Sequence, residues 1–179
     1  MRMYGHLFKN VAKQYKATRP RVPSVVFDKI LDYCKKDNTH FKRDLAVDVG
    51  CGSGQSTIPL ADHFHKVIGV DISKEQIERA PKCNRKIKFV IGDARQLSFL
   101  DDDTVDLATC AVSLHWFEGN EFYNEIKRVL RPGGVLAAYS YHYPRIYPEL
   151  ANLAVEKVEV ISAVARIRNV HSFVVKALY

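Results

Sequence analysis

The segment from Leu45 to Gly54 combines a short apolar run with three closely spaced glycines, and it constrains the fold more than any other part of the chain. The run Leu-Ala-Val-Asp-Val is followed by Gly50, Gly52 and Gly54, after which Gln55-Ser56-Thr57 opens a helical pattern. This order predicts a nucleotide-binding strand, turn and helix. Glycine lets the backbone bend sharply and lets a ligand approach where a Cβ atom would collide. The helix start offers unpaired N–H groups and a positive dipole end to an anionic group.

An acidic residue, Asp71, ends the next apolar run, and its position makes the glycine pattern more specific. It lies 21 residues after Gly50, at the end of the predicted second strand. A carboxylate at that position can accept hydrogen bonds from ribose hydroxyls. A dinucleotide site is the alternative, but its pattern needs a glycine at position 55, where this chain has Gln55. Strand, glycine turn, helix, strand and acid together therefore predict a site for a ligand that contains a ribose.

This combination resembles class I S-adenosylmethionine-dependent methyltransferases, and further segments are similar to the same family. The family's third strand is similar to Val90 to Ala94 (Val-Ile-Gly-Asp-Ala), and its fourth strand is similar to residues 105–110. The turn into its fifth strand is similar to Arg131 to Leu136 (Arg-Pro-Gly-Gly-Val-Leu). Within the class, Tyr15-x-x-x-Arg19-Pro20 and Leu114-His115-Trp116-Phe117 resemble a small-molecule branch that includes trans-aconitate methyltransferase. The resemblance covers roughly residues 8–143, and it is more specific for the cofactor than for the substrate.

The resemblance implies S-adenosylmethionine as the cofactor. Asp71 would bind the ribose and Asp93 the adenine amino group, although an Asp after a glycine can also simply form a turn. The glycines would admit the methionyl part, and Asp48 would orient either the loop or the ammonium group of the cofactor. The residues implied in cofactor binding are Asp48, Gly50, Cys51, Gly52, Gly54, Asp71, Asp93, Ala94 and Ala111.

Two further segments are candidates for the acceptor side of the site. Tyr15 and Arg19 resemble the family's N-terminal lid, and Arg19 is either a partner for a substrate carboxylate or a surface charge. His115 and Trp116 follow the predicted fourth strand, at the sheet edge where an acceptor would bind. A neutral imidazole at His115 would accept a proton or orient an acceptor oxygen, whereas a carboxylate acceptor needs no base. Trp116 would otherwise serve in packing.

The positive charge of the chain is concentrated near its beginning. Residues 1–43 contain eleven Lys or Arg and three Asp or Glu, a net charge of +8, whereas residues 44–179 contain sixteen and seventeen, a net charge of −1. Such a basic segment attracts an anionic substrate or nucleic acid, or it is a solvated helix face. The first interpretation is O-methylation of a small acidic molecule by in-line methyl transfer. The alternatives are a nucleic-acid methyltransferase and a truncated, non-catalytic cofactor-binding or scaffold protein.

The alternation of apolar runs and helical patterns predicts an α/β fold with a doubly wound, Rossmann-like, mainly parallel sheet and helices on both faces. Strands are expected at residues 45–49, 67–71, 87–91, 105–110 and 135–141. Helices are expected at residues 11–16, 24–34, 56–64, 120–130 and 150–168, with another beginning at Ser73. Ser24 and Ser73 are predicted N-caps, and Gln76 completes a capping-box spacing with Ser73.

The predicted organisation is one domain with three parts. Residues 1–43 would form an N-terminal helical lid, 44–143 the cofactor-binding core, and 144–179 a C-terminal helix and short tail. The family usually follows its fifth strand with another helix and two more strands, whereas only 38 residues follow Tyr141 here. At least one of the final strands is therefore expected to be shortened or missing.

Composition restricts the class of protein further. No apolar stretch approaches the ~20 residues that span a bilayer, and the first residues lack a secretory signal, so we expect a cytoplasmic protein that does not enter membranes. The four cysteines form no Cys-x-x-Cys pair, which favours reduced thiols over a metal site. The expected assembly is a monomer or a homodimer.

Overall fold

The computed structural model describes residues 22–36, 41–82, 84–117, 119–142 and 159–166. The strands are β1 (Leu45–Val49), β2 (Lys66–Asp71), β3 (Ile87–Ile91), β4 (Val105–Ala111), β5 (Leu130–His142) and β6 (Glu159–Arg166). The helices are α1 (Ser24–Lys35), α2 (Thr57–Leu60), α3 (Lys74–Arg79) and α4 (Asn120–Val129), with a 3₁₀ turn at Leu114–Trp116. Among these residues no helix has the length and apolar character that crossing a bilayer requires.

The strands form one sheet in the order β3-β2-β1-β4-β5-β6. The first five strands in this order are parallel to their neighbours, and β6 is antiparallel to β5. The chain first builds outward from β1 to β3 and then returns to place β4 on the other side of β1. This reversal opens a crevice at the carboxyl ends of β1 and β4, which is the usual ligand site of an open α/β sheet. The predicted Rossmann-like sheet is confirmed.

Two hydrophobic clusters cover the two faces of the sheet. Helix α1 joins the first cluster through a helical stripe of buried residues, and Ala46 of β1 lies in the same cluster. Val47 and Val49 of β1 lie in the second cluster together with buried residues of α4. Burial of each large apolar side chain contributes about 1.5–3 kcal/mol. Helices therefore hold the sheet from both sides and fix the position of the strand ends. The α1 stripe consists of Val26, Phe27, Ile30, Leu31 and Cys34.

The two predicted serine caps differ in outcome. Ser73 is the N-cap of α3, and its hydroxyl accepts a hydrogen bond from the Gln76 N–H at 3.3 Å, which confirms that prediction. The prediction for Ser24 is wrong, because Ser24 is the first residue of α1 and Pro23 is its N-cap. Proline has no side-chain oxygen to accept a hydrogen bond from the N–H groups of the first turn, so this helix begins without a side-chain cap.

Two elements differ from their predicted bounds by several residues. The helix expected at 56–64 is only the single turn Thr57–Leu60, followed by further turns. Strand β5 begins at Leu130 rather than at residue 135, because Leu130 pairs with Val105 before the register shifts and Val135 pairs with Leu107. The shift places Gly134 against backbone, where an added Cβ atom would lie 2.9 Å from the Arg131 carbonyl oxygen.

The predicted C-terminal helix at 150–168 is wrong over residues 159–166, which form β6. This strand pairs with β5, with Ser162 opposite Tyr139. Without it, the outer edge of β5 would present unpaired N–H and C=O groups. The β-branched residues Val160, Ile161 and Val164 also favour an extended backbone. The rest of that predicted helix, the short tail after it and the helix predicted at 11–16 lie outside the described residues.

Candidate active site

The glycine turn, defined as residues 50–54, follows β1 and has backbone conformations that favour glycine. Gly50, Gly52 and Gly54 have φ values of +67°, +56° and +91°. A Cβ atom at Gly50 would lie 2.7 Å from Ser113 Cβ, and one at Gly54 would lie 2.7 Å from the Phe89 ring. At Gly52 the nearest atoms would be 4.0 Å away. Two glycines therefore admit neighbouring parts of the protein, whereas Gly52 faces open space.

The carboxylate of Asp71 lies directly beside that open space. Its Oδ2 accepts a hydrogen bond from the Gly52 N–H at 2.8 Å, and its Oδ1 accepts one from the Ser73 N–H at 2.8 Å. Burial raises the pKa of Asp71, and these two hydrogen bonds oppose the rise. Each carboxylate oxygen has two lone pairs, so both oxygens can accept a second donor. The acid thus holds the turn in place and still has acceptor capacity for hydroxyl groups of a ligand.

Asp48 is fully buried beneath the turn and is surrounded by hydroxyl groups. It accepts hydrogen bonds from Ser56 Oγ at 2.6 Å, Thr57 Oγ1 at 2.6 Å and Thr109 Oγ1 at 2.8 Å. Burial raises its pKa, and the three hydroxyl donors oppose this rise. These contacts join the end of β1 to α2 and to β4, so Asp48 orients the loop. Its contact with a cofactor ammonium group stays a prediction.

Asp93 is engaged by a neighbour in its own turn. Arg95 Nε donates to Asp93 Oδ1 at 2.9 Å, the guanidinium also binds Oδ2, and the Arg95 N–H donates to Oδ1 at 3.0 Å. The hydrogen bonds from Arg95 lower the pKa of Asp93. The turn lies next to Asp71, because the Gly92 N–H donates to the Asp71 carbonyl oxygen at 3.0 Å. An adenine contact would share this carboxylate with Arg95, and that contact stays a prediction. Ala94 is buried beside it.

The end of β4 forms the other wall of the crevice. Ala111 is buried, and Val112 has a φ of +53°, a left-handed conformation that is uncommon for a β-branched residue. His115 and Trp116 are exposed on the 3₁₀ turn, with ring centroids 4.7 Å apart. The two exposed rings therefore follow the carboxyl end of β4, next to the carboxyl end of β1, where the glycine turn begins. Tyr15 and Arg19 lie outside the described residues.

Residues 47–138 match the family described as "Methyltransferase domain". The chain belongs to this methyltransferase family. A Dictyostelium discoideum protein with a methyltransferase name is 40% identical over 139 residues, which are 78% of this chain and 50% of that protein. A Saccharomyces cerevisiae protein named "Probable S-adenosylmethionine-dependent methyltransferase CRG1" is 28% identical over 83% of this chain and 53% of its own length.

The fold comparison agrees with the family. The solved structure of an Anaeromyxobacter dehalogenans protein, described as a type II methyltransferase, is 34% identical with a TM-score of 0.62. It matches 74% of this chain and 53% of that one. The chain thus spans about half the length of the relatives it matches. The resemblance to class I S-adenosylmethionine-dependent methyltransferases is confirmed.

Cys51 and Cys110, the cysteines of this methyltransferase domain that the structure describes, are buried thiols with raised pKa values. Cys51 donates weakly to the Gly52 carbonyl oxygen at 3.4 Å, and its backbone N–H donates to the Val70 carbonyl oxygen at 3.0 Å. Burial raises the pKa of Cys51 well above its usual value and that of Cys110 to about 12. A protonated thiol is a poor nucleophile. Cys51 therefore acts by shaping the methyltransferase turn, and its predicted contact with the cofactor stays a prediction.

Sequence reasoning missed two residues of the methyltransferase site. Ile72 directly follows Asp71 and is 65% exposed, so it presents an apolar surface beside the acid. An apolar residue between the end of a strand and a helix cap was the available signal. Ser113 is buried against the glycine turn, and no local pattern distinguishes it from any other loop serine. Only the contact between β1 and β4, which are distant in sequence, shows its position.

Proposed function

We propose that this chain is the catalytic part of an S-adenosylmethionine-dependent methyltransferase. The observation that supports this most strongly is the open space over Gly52 beside the Asp71 carboxylate. A Cβ atom would fill this space, while the acid has acceptor capacity for two vicinal hydroxyls. The residues present therefore fit a cofactor that combines a flexible methionyl chain with a ribose.

The proposed cofactor position follows the carboxyl ends of β1, β2 and β3. The glycine turn would contact the methionyl part, Asp71 would accept from the ribose hydroxyls, and Ile72 would cover one face of the adenine. Asp93 and Ala94 would lie at the adenine edge, with Asp93 shared between the adenine amino group and Arg95. The bound cofactor supplies an activated methyl group on a sulfonium. The chain therefore needs to bind and align the two reactants, and alignment contributes up to roughly 7–11 kcal/mol in favourable systems.

The proposed acceptor is an oxygen atom of a small acidic molecule. The net charge of +8 in residues 1–43 supports an anionic acceptor, and Tyr15 and Arg19 lie in that segment. His115 and Trp116 are exposed on the turn that follows β4, and in this proposal their side chains flank the crevice from that side. A carboxylate acceptor is already deprotonated at neutral pH, so His115 would orient it rather than remove a proton.

Calorimetric titration with S-adenosylhomocysteine tests the cofactor site. Asp71→Ala should weaken binding by about 1–3 kcal/mol, or roughly 5- to 150-fold, because the ribose hydroxyls lose their acceptor. The control is Asp62→Ala, which removes an exposed carboxylate on the turn after α2 and should leave the affinity unchanged. Equal affinity of the two variants would contradict the ribose assignment.

Methyl transfer from radiolabelled S-adenosylmethionine to a panel of carboxylic acids tests the acceptor. A carboxylate methyl ester releases volatile labelled methanol in alkali, whereas methyl groups on nitrogen or carbon stay bound. The nucleic-acid alternative predicts retention by RNA at low salt and a steep loss of affinity as salt rises. Tight binding of S-adenosylhomocysteine without transfer to any acceptor would instead favour the non-catalytic alternative.

A further inference from the structure

Ser113 connects the two walls of the crevice. Its buried hydroxyl donates to the carbonyl oxygen of Val49, the last residue of β1, at 3.0 Å. The Cys110 thiol lies 3.1 Å from the same hydroxyl and completes a buried chain of polar groups. Ser113 Cβ also occupies the space that a side chain at Gly50 would need, at 2.7 Å. The residue after the strained Val112 is thus interlocked with the first residue of the glycine turn.

The backbone of Ser113 begins the turn that carries the exposed rings. Its carbonyl oxygen accepts a hydrogen bond from the Trp116 N–H at 3.0 Å, which closes the 3₁₀ turn with His115 and Trp116. The left-handed conformation of Val112 costs of order 1–3 kcal/mol and persists only where surrounding contacts hold it. One such contact is the hydrogen bond from the Val112 N–H to the Tyr139 carbonyl oxygen at 2.8 Å. The hydroxyl of Ser113 supplies the corresponding contact to β1.

We propose that Ser113 is a positioning residue that fastens the 3₁₀ turn bearing His115 and Trp116 to the glycine turn, and so fixes the distance between methyl acceptor and methyl donor. The assignment of methyl donor and methyl acceptor to these two turns rests on the proposed function, whereas the hydrogen-bonded link between the turns does not. A displacement of 1 Å at a reacting centre can lower a rate by about 100-fold, so a rigid link between the two walls matters for in-line transfer.

The test compares Ser113→Thr with Ser113→Val, because these side chains have nearly the same shape and only threonine retains the hydroxyl. Trp116 is the only tryptophan of the chain, so its fluorescence and its amide report on the 3₁₀ turn. In the unliganded protein, Ser113→Val should increase hydrogen exchange of the Trp116 amide about fivefold relative to Ser113→Thr, as expected for loss of one hydrogen bond. Quenching of Trp116 fluorescence by acrylamide should rise in the same variant.

The outcomes separate this inference from the proposed function. The link through the hydroxyl would be overturned if Trp116 amide exchange and acrylamide quenching in Ser113→Val equalled those of the wild type. It would also be overturned if both quantities rose equally in Ser113→Val and Ser113→Thr. If Ser113→Val does not fold, Ser113→Ala, which adds no atom, provides the comparison with wild type. Calorimetry with S-adenosylhomocysteine is run on the same proteins, and absence of binding by the wild type would refute the cofactor site without affecting the Trp116 comparison. Where binding is present, a slower transfer rate at unchanged affinity in Ser113→Val supports the positioning role.

Discussion

Replacement of Gly52 by alanine should separate binding of the cofactor from folding. A left-handed backbone costs a non-glycine residue about 1–2 kcal/mol, and this cost applies to alanine at Gly50, Gly52 and Gly54 alike. At Gly50 and Gly54 the added Cβ atom would also overlap protein atoms at 2.7 Å, a cost of about 1–3 kcal/mol more. At Gly52 it meets nothing within 4.0 Å, so Gly52→Ala should destabilise the fold by only ~1–2 kcal/mol.

The same Cβ atom would occupy the space that we propose for the cofactor. We expect Gly52→Ala to lose about 1–3 kcal/mol of S-adenosylhomocysteine binding, or roughly 5- to 150-fold in Kd. Urea unfolding measures the stability and calorimetry the affinity. The control is Gly133→Ala, which also places alanine at a positive φ, here +82°. Gly133 lies near the amino end of β5, whereas the glycine turn lies at the carboxyl end of β1. If Gly52→Ala binds S-adenosylhomocysteine as tightly as Gly133→Ala, the cofactor does not approach Gly52 and the reasoning is refuted.

Three further predictions concern buried and charged groups. Burial raises the pKa of Asp48, so its protonated form stabilises the fold below its unfolded pKa and this stability is lost as pH rises through the folded pKa. The cost of Asp48→Asn should therefore decrease between pH 4 and 7 in urea unfolding, and a cost that grows with pH would contradict this. The Cys110 thiol, with a pKa of about 12 against an ordinary 9.0, should react with a thiol reagent at pH 8 about a thousandfold more slowly in the native protein than in urea; equal rates would show that it is accessible. Arg128 donates to the carbonyl oxygens of Leu97 and Leu100, so Arg128→Met should lower the free energy of unfolding by about 1–3 kcal/mol. An unchanged urea midpoint would show that these two hydrogen bonds do not stabilise the segment 97–100.

The parts of the fold that sequence predicted are those with local causes. Strands β1, β2 and β4 appear as apolar runs because most of their residues are buried, whereas β3 is only partly buried and still carries an apolar run. The glycine turn has a pattern that few other structures need. Ser73 was recognisable because a cap and its partner are three residues apart. Strand β6 was mistaken for a helix because its apolar spacing suits both structures. The free edge of β5 decides between them, and that edge is distant in sequence.

In the candidate site, too, the sequence predicts features with local causes better than features that depend on distant residues. The spacing of one strand, helix and strand unit predicts Asp71 at the end of β2, and the structure adds that its carboxylate accepts a hydrogen bond from the Gly52 N–H. The pairing of Asp93 with Arg95 is local as well, but the identical residues also suit a ligand contact. For such a residue the sequence indicates the position of a carboxylate without indicating which donor it binds, since a ligand and a neighbouring guanidinium offer it the same hydrogen bonds.

The acceptor side is harder to predict because its parts come from distant segments with no common spacing. The glycine turn and Asp71, which carry most of the proposed cofactor contacts, lie on contiguous chain from β1 to β2, so they form a compact sequence pattern. The turn that carries His115 and Trp116 is joined to the end of β1 by the contact of Ser113 with Val49, 64 residues away in sequence. The position of these rings relative to the glycine turn thus depends on this long-range hydrogen bond, on the pairing of β4 with β1 and on the strained backbone at Val112. The glycine turn is a local pattern, whereas this junction joins residues 64 apart in sequence, so the motif predicts the methyl donor and not the molecule that receives the methyl group.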